Sequence, residues 1–185
     1  MTKVISVDQN DRFLGFEDKI KVHQGKGILH RAFSVLVVNN KGEILLQKRS
    51  KYKLLWPLFW SNTCCSHPVF SRHPELVSGS IISQAKKRLR EEMGFTVSLK
   101  PLFRFQYKAS YKNIGSENEL VTVLLGKYDG QDIRPDTKEV VEFKWVKYDD
   151  LLEDIAKRQS LYTPWFRKMV NNKKLRDVII RQLAD

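Results

Sequence analysis

The chain has 185 residues, enough for one domain with a proper core, and its 42% hydrophobic and 29% charged residues argue against disorder. No apolar run approaches the roughly 20 residues of a membrane helix, and the N-terminus lacks the apolar stretch of a signal peptide, so a cytoplasmic location is expected. A formal net charge of +12 leaves three partners open: nucleic acid, an anionic membrane surface or a phosphorylated substrate.

In chain order, His23 and His30 bracket a Gly-containing segment. Residues 33–38 are apolar and β-branched, Asn39-Asn40-Lys41-Gly42 is a turn, and residues 43–49 follow as a second strand, so the spacing predicts a hairpin of core strands. Cys64 and Cys65 are adjacent and close too small a ring for a structural disulfide, which favours reduced thiols. Residues 69–83 carry turn formers without periodicity and read as an extended surface loop. A helix is predicted over 83–93, with Ile82, Ala85, Leu89 and Met93 on one face and Gly94 ending it. Strand-like runs recur at 102–107, 120–128 and 140–146, and helices at 148–157, 163–170 and 173–183, with Asp149 and Asp150 favouring a first turn. The expected fold is α/β (α+β), a mixed sheet flanked by helices in one compact domain.

Three histidines and a pair of carboxylates stand out chemically. His23, His30 and His67 with Glu117 and Glu119 offer nitrogen and oxygen donors suited to a divalent ion. In a strand, alternation turns Glu117 and Glu119 to one face, where two carboxylates repel unless a cation lies between them. Taken singly, each of these residues reads as an ordinary surface or core group, as His73 does. On the helix, Arg88 lies three residues from Glu91 and four from Glu92, so the three can meet. An intrahelical ion-pair face has the same spacing as a carboxylate that holds Mg²⁺ against phosphate. The basic tail over 157–181 reads first as a solvated face, and no zinc-finger spacing or aromatic RNA platform accompanies it.

Lys87-Arg88-Leu89-Arg90-Glu91-Glu92-Met93-Gly94-Phe95 resembles the latter half of the Nudix box, although Lys87 and Arg88 replace its Arg-Glu start, and its upstream Gly and Glu fall on His73 and Gly79. The segment from Trp56 through Asn62-Thr63-Cys64-Cys65-Ser66-His67-Pro68, the Glu117-Asn118-Glu119 run and the Pro-Trp of 160–165 make the resemblance closer. Together they resemble type I isopentenyl diphosphate isomerases, over nearly the whole chain from Val4. The resemblance implies a Nudix-like domain spanning residues 1–185. It implies one divalent ion held by His23, His30, His67, Glu117 and Glu119, and that ligand set accepts Mn²⁺, Zn²⁺ or Mg²⁺. It implies a second ion, Mg²⁺ bound with the substrate diphosphate, at Glu92. It selects Cys65, two residues before the third histidine, as catalytic and leaves Cys64 a packed residue. It assigns the diphosphate to Lys19, Arg49, Lys53 and Arg88, and the pocket aromatics to Tyr107 and Trp165. Two departures are visible: Leu58 replaces a usually small residue, and the loop after Pro68 is several residues longer than in compact bacterial members.

The implied reaction moves a double bond within a five-carbon diphosphate through a tertiary carbocation, which needs a dry pocket. Trp165 would face the cation, Glu119 beside Tyr107 would carry one proton, and Cys65 the other. The Cys65 thiol has a reference pKa of about 8.5, which local cations can lower. The +12 charge then draws in an anionic small molecule, and a monomer without a nucleic-acid partner or membrane span is expected. The rival functions are a Nudix hydrolase of nucleoside-diphosphate derivatives and a basic nucleic-acid-binding module.

Overall fold

The hairpin expected over 33–49 opens as soon as it leaves its turn. The protein is described by a computed structural model covering residues 2–68 and 81–184. Strands β3 (His30–Val38) and β4 (Glu43–Arg49) flank the predicted turn, closed by the Gly42 N–H on the Asn39 carbonyl at 3.1 Å. They then pair only at Val38 and Ile44. Beyond that point β3 runs parallel to β8 (Gly115–Lys127), from His30 opposite Glu119 to Val38 opposite Lys127. β4 runs antiparallel to β9 (Val140–Lys147). The opening between β3 and β4 is filled by β5 (Trp60–Ser61), paired with β4, and β6 (Cys64–Ser66), paired with β3.

Side chains from that wedge take the place of the missing ladder. Thr63 Oγ1 accepts from the Val37 N–H at 2.9 Å and donates to the Leu45 carbonyl at 2.7 Å, so one hydroxyl bridges the two strands. Asn62 Nδ2 donates to the Val35 carbonyl at 3.1 Å. Buried backbone groups require partners, and a strand pair can splay only if something supplies them. The Asn62-Thr63 dipeptide does so, which is why the expected hairpin gives way to a split sheet.

β1 (Lys3–Val7) and β2 (Phe13–Asp18) form an antiparallel pair beside β3, joined at Ser6 and His30. They went unpredicted because β1 is short and β2 buries none of its residues fully. β7 (Leu99–Tyr111) continues the sheet beyond β8. Both long strands exceed the predicted 102–107 and 120–128. Their polar ends, from Lys108 and from Gly115, pair through the backbone without the apolar alternation that periodicity detects.

Helices cover both faces. Helix α1 (Lys19–Val22) follows β2, and α2 (Ile81–Met93) sets Ala85, Leu89 and Met93 against Phe33, Val35, Val37 and Leu124. α2 starts at Ile81, two residues before the predicted start at 83; the rest of the expected loop, 69–80, lies outside the described residues. α3 (Tyr148–Lys157), α4 (Pro164–Val170) and α5 (Lys173–Ala184) close the opposite face. There Leu151, Ile155, Phe166, Met169 and Leu175 meet Leu36, Val38, Leu46 and Val121. Alternation along β3 therefore sends odd residues to α2 and even residues to the C-terminal helices. Truncating the fully buried Leu89 to Ala should cost about 2–5 kcal/mol. No described helix is long and apolar enough to cross a membrane.

Candidate active site and metal centre

The site lies where the sheet splits. Asp18 caps α1 by accepting from the Ile20 and Lys21 N–H groups, and the helix ends after one turn at His23. The following loop returns to β3 over Gly25 and Gly27, both in the left-handed region. β8 holds this loop in place: Ser116 Oγ donates to the Gly25 carbonyl at 2.7 Å, and Asn118 Nδ2 donates to the Gly27 carbonyl at 3.2 Å. A Cβ on Gly27 would sit 3.2 Å from that of Asn118. Ser116 and Asn118 thus fix the histidine loop, while Glu117 and Glu119, on the alternate positions, enter the site.

The structure brings all five expected ligands together, with one donor atom from each of His23, His30, His67, Glu117 and Glu119 within 4.8 Å of the others. His23 Nδ1 lies 2.6 Å from the Lys19 carbonyl and His30 Nδ1 lies 2.7 Å from the Ile28 carbonyl. Nδ1–H therefore donates to the backbone in both, leaving Nε2 as a lone pair aimed inward. Those lone pairs face carboxylates: His23 Nε2 is 2.9 Å from Glu117, and His30 Nε2 is 3.7 Å from Glu119. Among the described residues, neither His30 Nε2 nor Glu117 Oε2 completes a hydrogen bond although both atoms are buried. Inward lone pairs beside two buried carboxylates fit a divalent cation.

Electrostatics agree with that fit. Burial opposes the charge on Glu119, yet the His30 and His67 rings beside it hold its carboxyl well below the usual range. Glu117 moves up, through burial and then the neighbouring charge of Glu119. Burial drives His67 down to about 3, so its ring is neutral, with Nε2 2.7 Å from Glu119 Oε1.

A cavity of about 220 Å³ adjoins the cluster. Cys65, Tyr107 and Trp165 line it together with His23, His67, Glu117 and Glu119; His30 is fully buried behind them. Tyr107 donates its hydroxyl to Glu119 Oε2 at 2.7 Å. The Trp165 indole N–H donates to Asn62 Oδ1 at 3.1 Å, and its ring lies 5.9 Å from Tyr107 and 5.4 Å from Trp56. The wedge sets this geometry as well, since the Thr163 N–H bonds the Trp60 carbonyl at 3.0 Å and so fixes the start of α4.

Adjacent cysteines face opposite ways. Cys64 is fully buried in the cluster beneath α2, whereas Cys65 reaches the cavity. Burial outweighs the cations, Arg49 and Lys53, that lower the Cys65 thiol pKa. It pushes the thiol up to about 12, although Arg49 Nη1 is 4.0 Å from the sulfur. Cys65 is therefore a protonated thiol at neutral pH.

Lys19, Arg49, Lys53 and Arg88 all line the cavity. Arg49 is tied by Nε to the Trp56 carbonyl at 3.0 Å and by Nη2 to the Leu55 carbonyl at 2.8 Å, and its guanidinium lies 5.2 Å from the Trp165 ring centre. Burial, then the charges of Arg88 and Lys53, lower Lys19. Glu92 is elsewhere: it is 1% exposed, it lies outside the five-ligand cluster, and its oxygens accept from Arg88 at 2.8 Å and Gln47 Nε2 at 2.9 Å. Leu58 has φ +65°, which explains why a small residue suits that turn. The sequence reading missed the supporting roles of Asn62, Gln47 and Glu139. Asn62 sat within the quoted motif, but Glu139, in a polar turn, carried no signal of its own.

The NUDIX domain family matches residues 80–166. An isopentenyl-diphosphate Delta-isomerase 1 of Photorhabdus laumondii is 38% identical over 170 residues, covering 91% of this chain and 92% of that protein. An isopentenyl-diphosphate Delta-isomerase of Burkholderia multivorans is likewise 38% identical, covering 91% and 90%. Among solved structures, the Deinococcus radiodurans protein DR0079 superposes with a TM-score of 0.68 at 16% identity, covering 91% of this chain and 96% of that one, a likeness of fold.

Proposed function

The chain belongs to the isopentenyl-diphosphate Delta-isomerases of Nudix fold, and from that premise we propose how its own residues carry the reaction. The enzyme interconverts isopentenyl and dimethylallyl diphosphate in isoprenoid biosynthesis. The alkene gains a proton at its terminal carbon and loses one from the carbon nearer the diphosphate, with a tertiary cation between the two steps. In our reading Cys65 serves one of these transfers and Glu119, bonded to Tyr107, the other. A neutral thiol arrives with its proton in place, and Arg49 beside the sulfur offsets the thiolate that forms when the proton leaves. The Trp165 ring offers its face to the cation, an attraction of about 0.5–2 kcal/mol, without the lone pair that would trap it.

His23, His30, His67, Glu117 and Glu119 would hold the first ion, read here as Mn²⁺, with Zn²⁺ or Mg²⁺ as the other fits. An ion held there would offset the charge of the two carboxylates and set the acidity of Glu119. Lys19, Arg49, Lys53 and Arg88 would grip the diphosphate. Glu92 would hold the Mg²⁺ that accompanies the substrate, from a carboxylate that also accepts from Arg88 and Gln47. Free thiols at both cysteines suit a reducing compartment, which supports a cytoplasmic enzyme, and we read it as a monomer. One observation carries this account: Cys65 and the Tyr107–Glu119 pair line the same cavity as four cations. With isopentenyl diphosphate, metal and deuterated water, the product should gain deuterium without release of phosphate. A folded, metal-loaded protein that incorporates none would sink the assignment.

A further inference from the structure

Lys53 and Arg88 come from distant parts of the chain, one from the turn after β4 and the other from α2, yet both meet a carboxylate that lies outside the catalytic set. Glu139 stands just before β9, and its Oε2 accepts from Arg88 Nη2 at 2.9 Å and also from Lys53 Nζ. Both cations line the cavity. Together they hold Glu139 below the usual carboxylate range although burial opposes it, so it is ionised at neutral pH.

The main chain of Glu139 is fixed on the same elements. Its N–H bonds the Asp136 carbonyl at 2.9 Å, and its carbonyl accepts from the Ser50 N–H at 2.9 Å. The Asp136 N–H bonds the Glu92 carbonyl at 3.1 Å, and the Lys53 N–H bonds the Ser50 carbonyl at 3.2 Å. The 136–139 turn is therefore anchored on α2 at one end and on the Lys53 turn at the other. The Glu139 carboxylate then spans the two cations that those elements carry. Arg49 needs no such brace because two carbonyls fix it. Arg88 has Glu92 as well, but Lys53 lies 3.5 Å from Glu92, and its closer partner is Glu139. Without Glu139, like charges on Lys19, Lys53 and Arg88 would drive the flexible lysine toward solvent.

We propose that Glu139 is a positioning residue for diphosphate binding, holding Lys53 against Arg88 so that an arriving diphosphate meets a preassembled pair of cations. The proposal rests on the isomerase reading for the identity of the diphosphate, but its test does not depend on turnover. Inorganic pyrophosphate with Mg²⁺ is titrated into the wild type and Glu139→Ala by calorimetry, alongside isomerase kinetics. Removing one buried-side ionic brace should weaken pyrophosphate and raise KM by about 10-fold each while kcat stays within about twofold. Glu139→Asp should recover part of the binding. Glu139→Gln, which keeps every main-chain bond, serves if the alanine variant does not fold, and it should show the same KM-only effect. Unchanged or tighter pyrophosphate binding in a folded variant would overturn the proposal, as would a fall in kcat at constant KM. A wild type that binds pyrophosphate but does not isomerise would overturn the reaction assignment and leave this role standing.

Discussion

The cavity has two charged halves built on opposite plans. The histidine–glutamate half is fixed through backbone: carbonyls of Lys19 and Ile28 orient two rings, and β8 pins the loop that carries His23. The cationic half, Arg49 apart, is fixed by exchangeable side-chain contacts among Lys53, Arg88, Glu92 and Glu139. A site for a resident ion gains from rigid, desolvated donors, because each reorganisation on binding weakens affinity. A site for an anion that must enter and leave gains from cations that already have partners to return to. On the proposed function the difference would match residence time: one half would keep an ion while the other would trade a diphosphate.

This contrast sets an order of expected effects. Cys65→Ala should lower turnover by at least about 10³-fold while metal content and melting temperature stay near wild type; turnover within tenfold of wild type would remove the thiol from the mechanism. Glu119→Gln strikes the rigid half and should lose catalysis on a similar scale, with metal affinity down by about 10–100-fold. Full metal occupancy in that variant would break the ligand assignment. Chelation should abolish activity and lower the melting temperature, because it returns unpaired His30 Nε2 and Glu117 Oε2 to a buried site. In the exchangeable half, Arg88→Ala should raise KM by about 10–100-fold with a smaller change in kcat. An all-or-none loss there would mean that the two halves do not differ as described. Cys64→Ala should leave kcat within about twofold and cost about 1–2 kcal/mol of stability from the fully buried sulfur, read by denaturant melts. Leu58→Gly relieves a left-handed leucine and should move stability by less than about 1 kcal/mol, upward, in the same melts.

Some of this was legible before any coordinates. The apolar face of α2 followed from Ala85, Leu89 and Met93, and the Arg88–Glu92 contact followed from four-residue spacing. Both are local, set by helix period alone. The split of β3 from β4 was not legible, because the 33–49 pattern is that of a hairpin, and only the Asn62 and Thr63 side chains reveal what separates the strands. The rise in the Cys65 pKa was equally hidden: neighbouring cations were inferable, but the burial that outweighs them is a property of the closed cavity.

By itself the sequence determined the chemistry present: three imidazoles, two alternating carboxylates, a thiol two residues from a histidine, and a family resemblance that tells the two cysteines apart. Tertiary structure decided how those groups face one another. It put Nε2 of His23 and His30 inward, gave Glu92 to Arg88 and Gln47, and recruited Glu139 from a turn with no motif. Spacing fixes neighbours along one strand or helix, whereas the charge state and partners of a buried group depend on every element that packs around it.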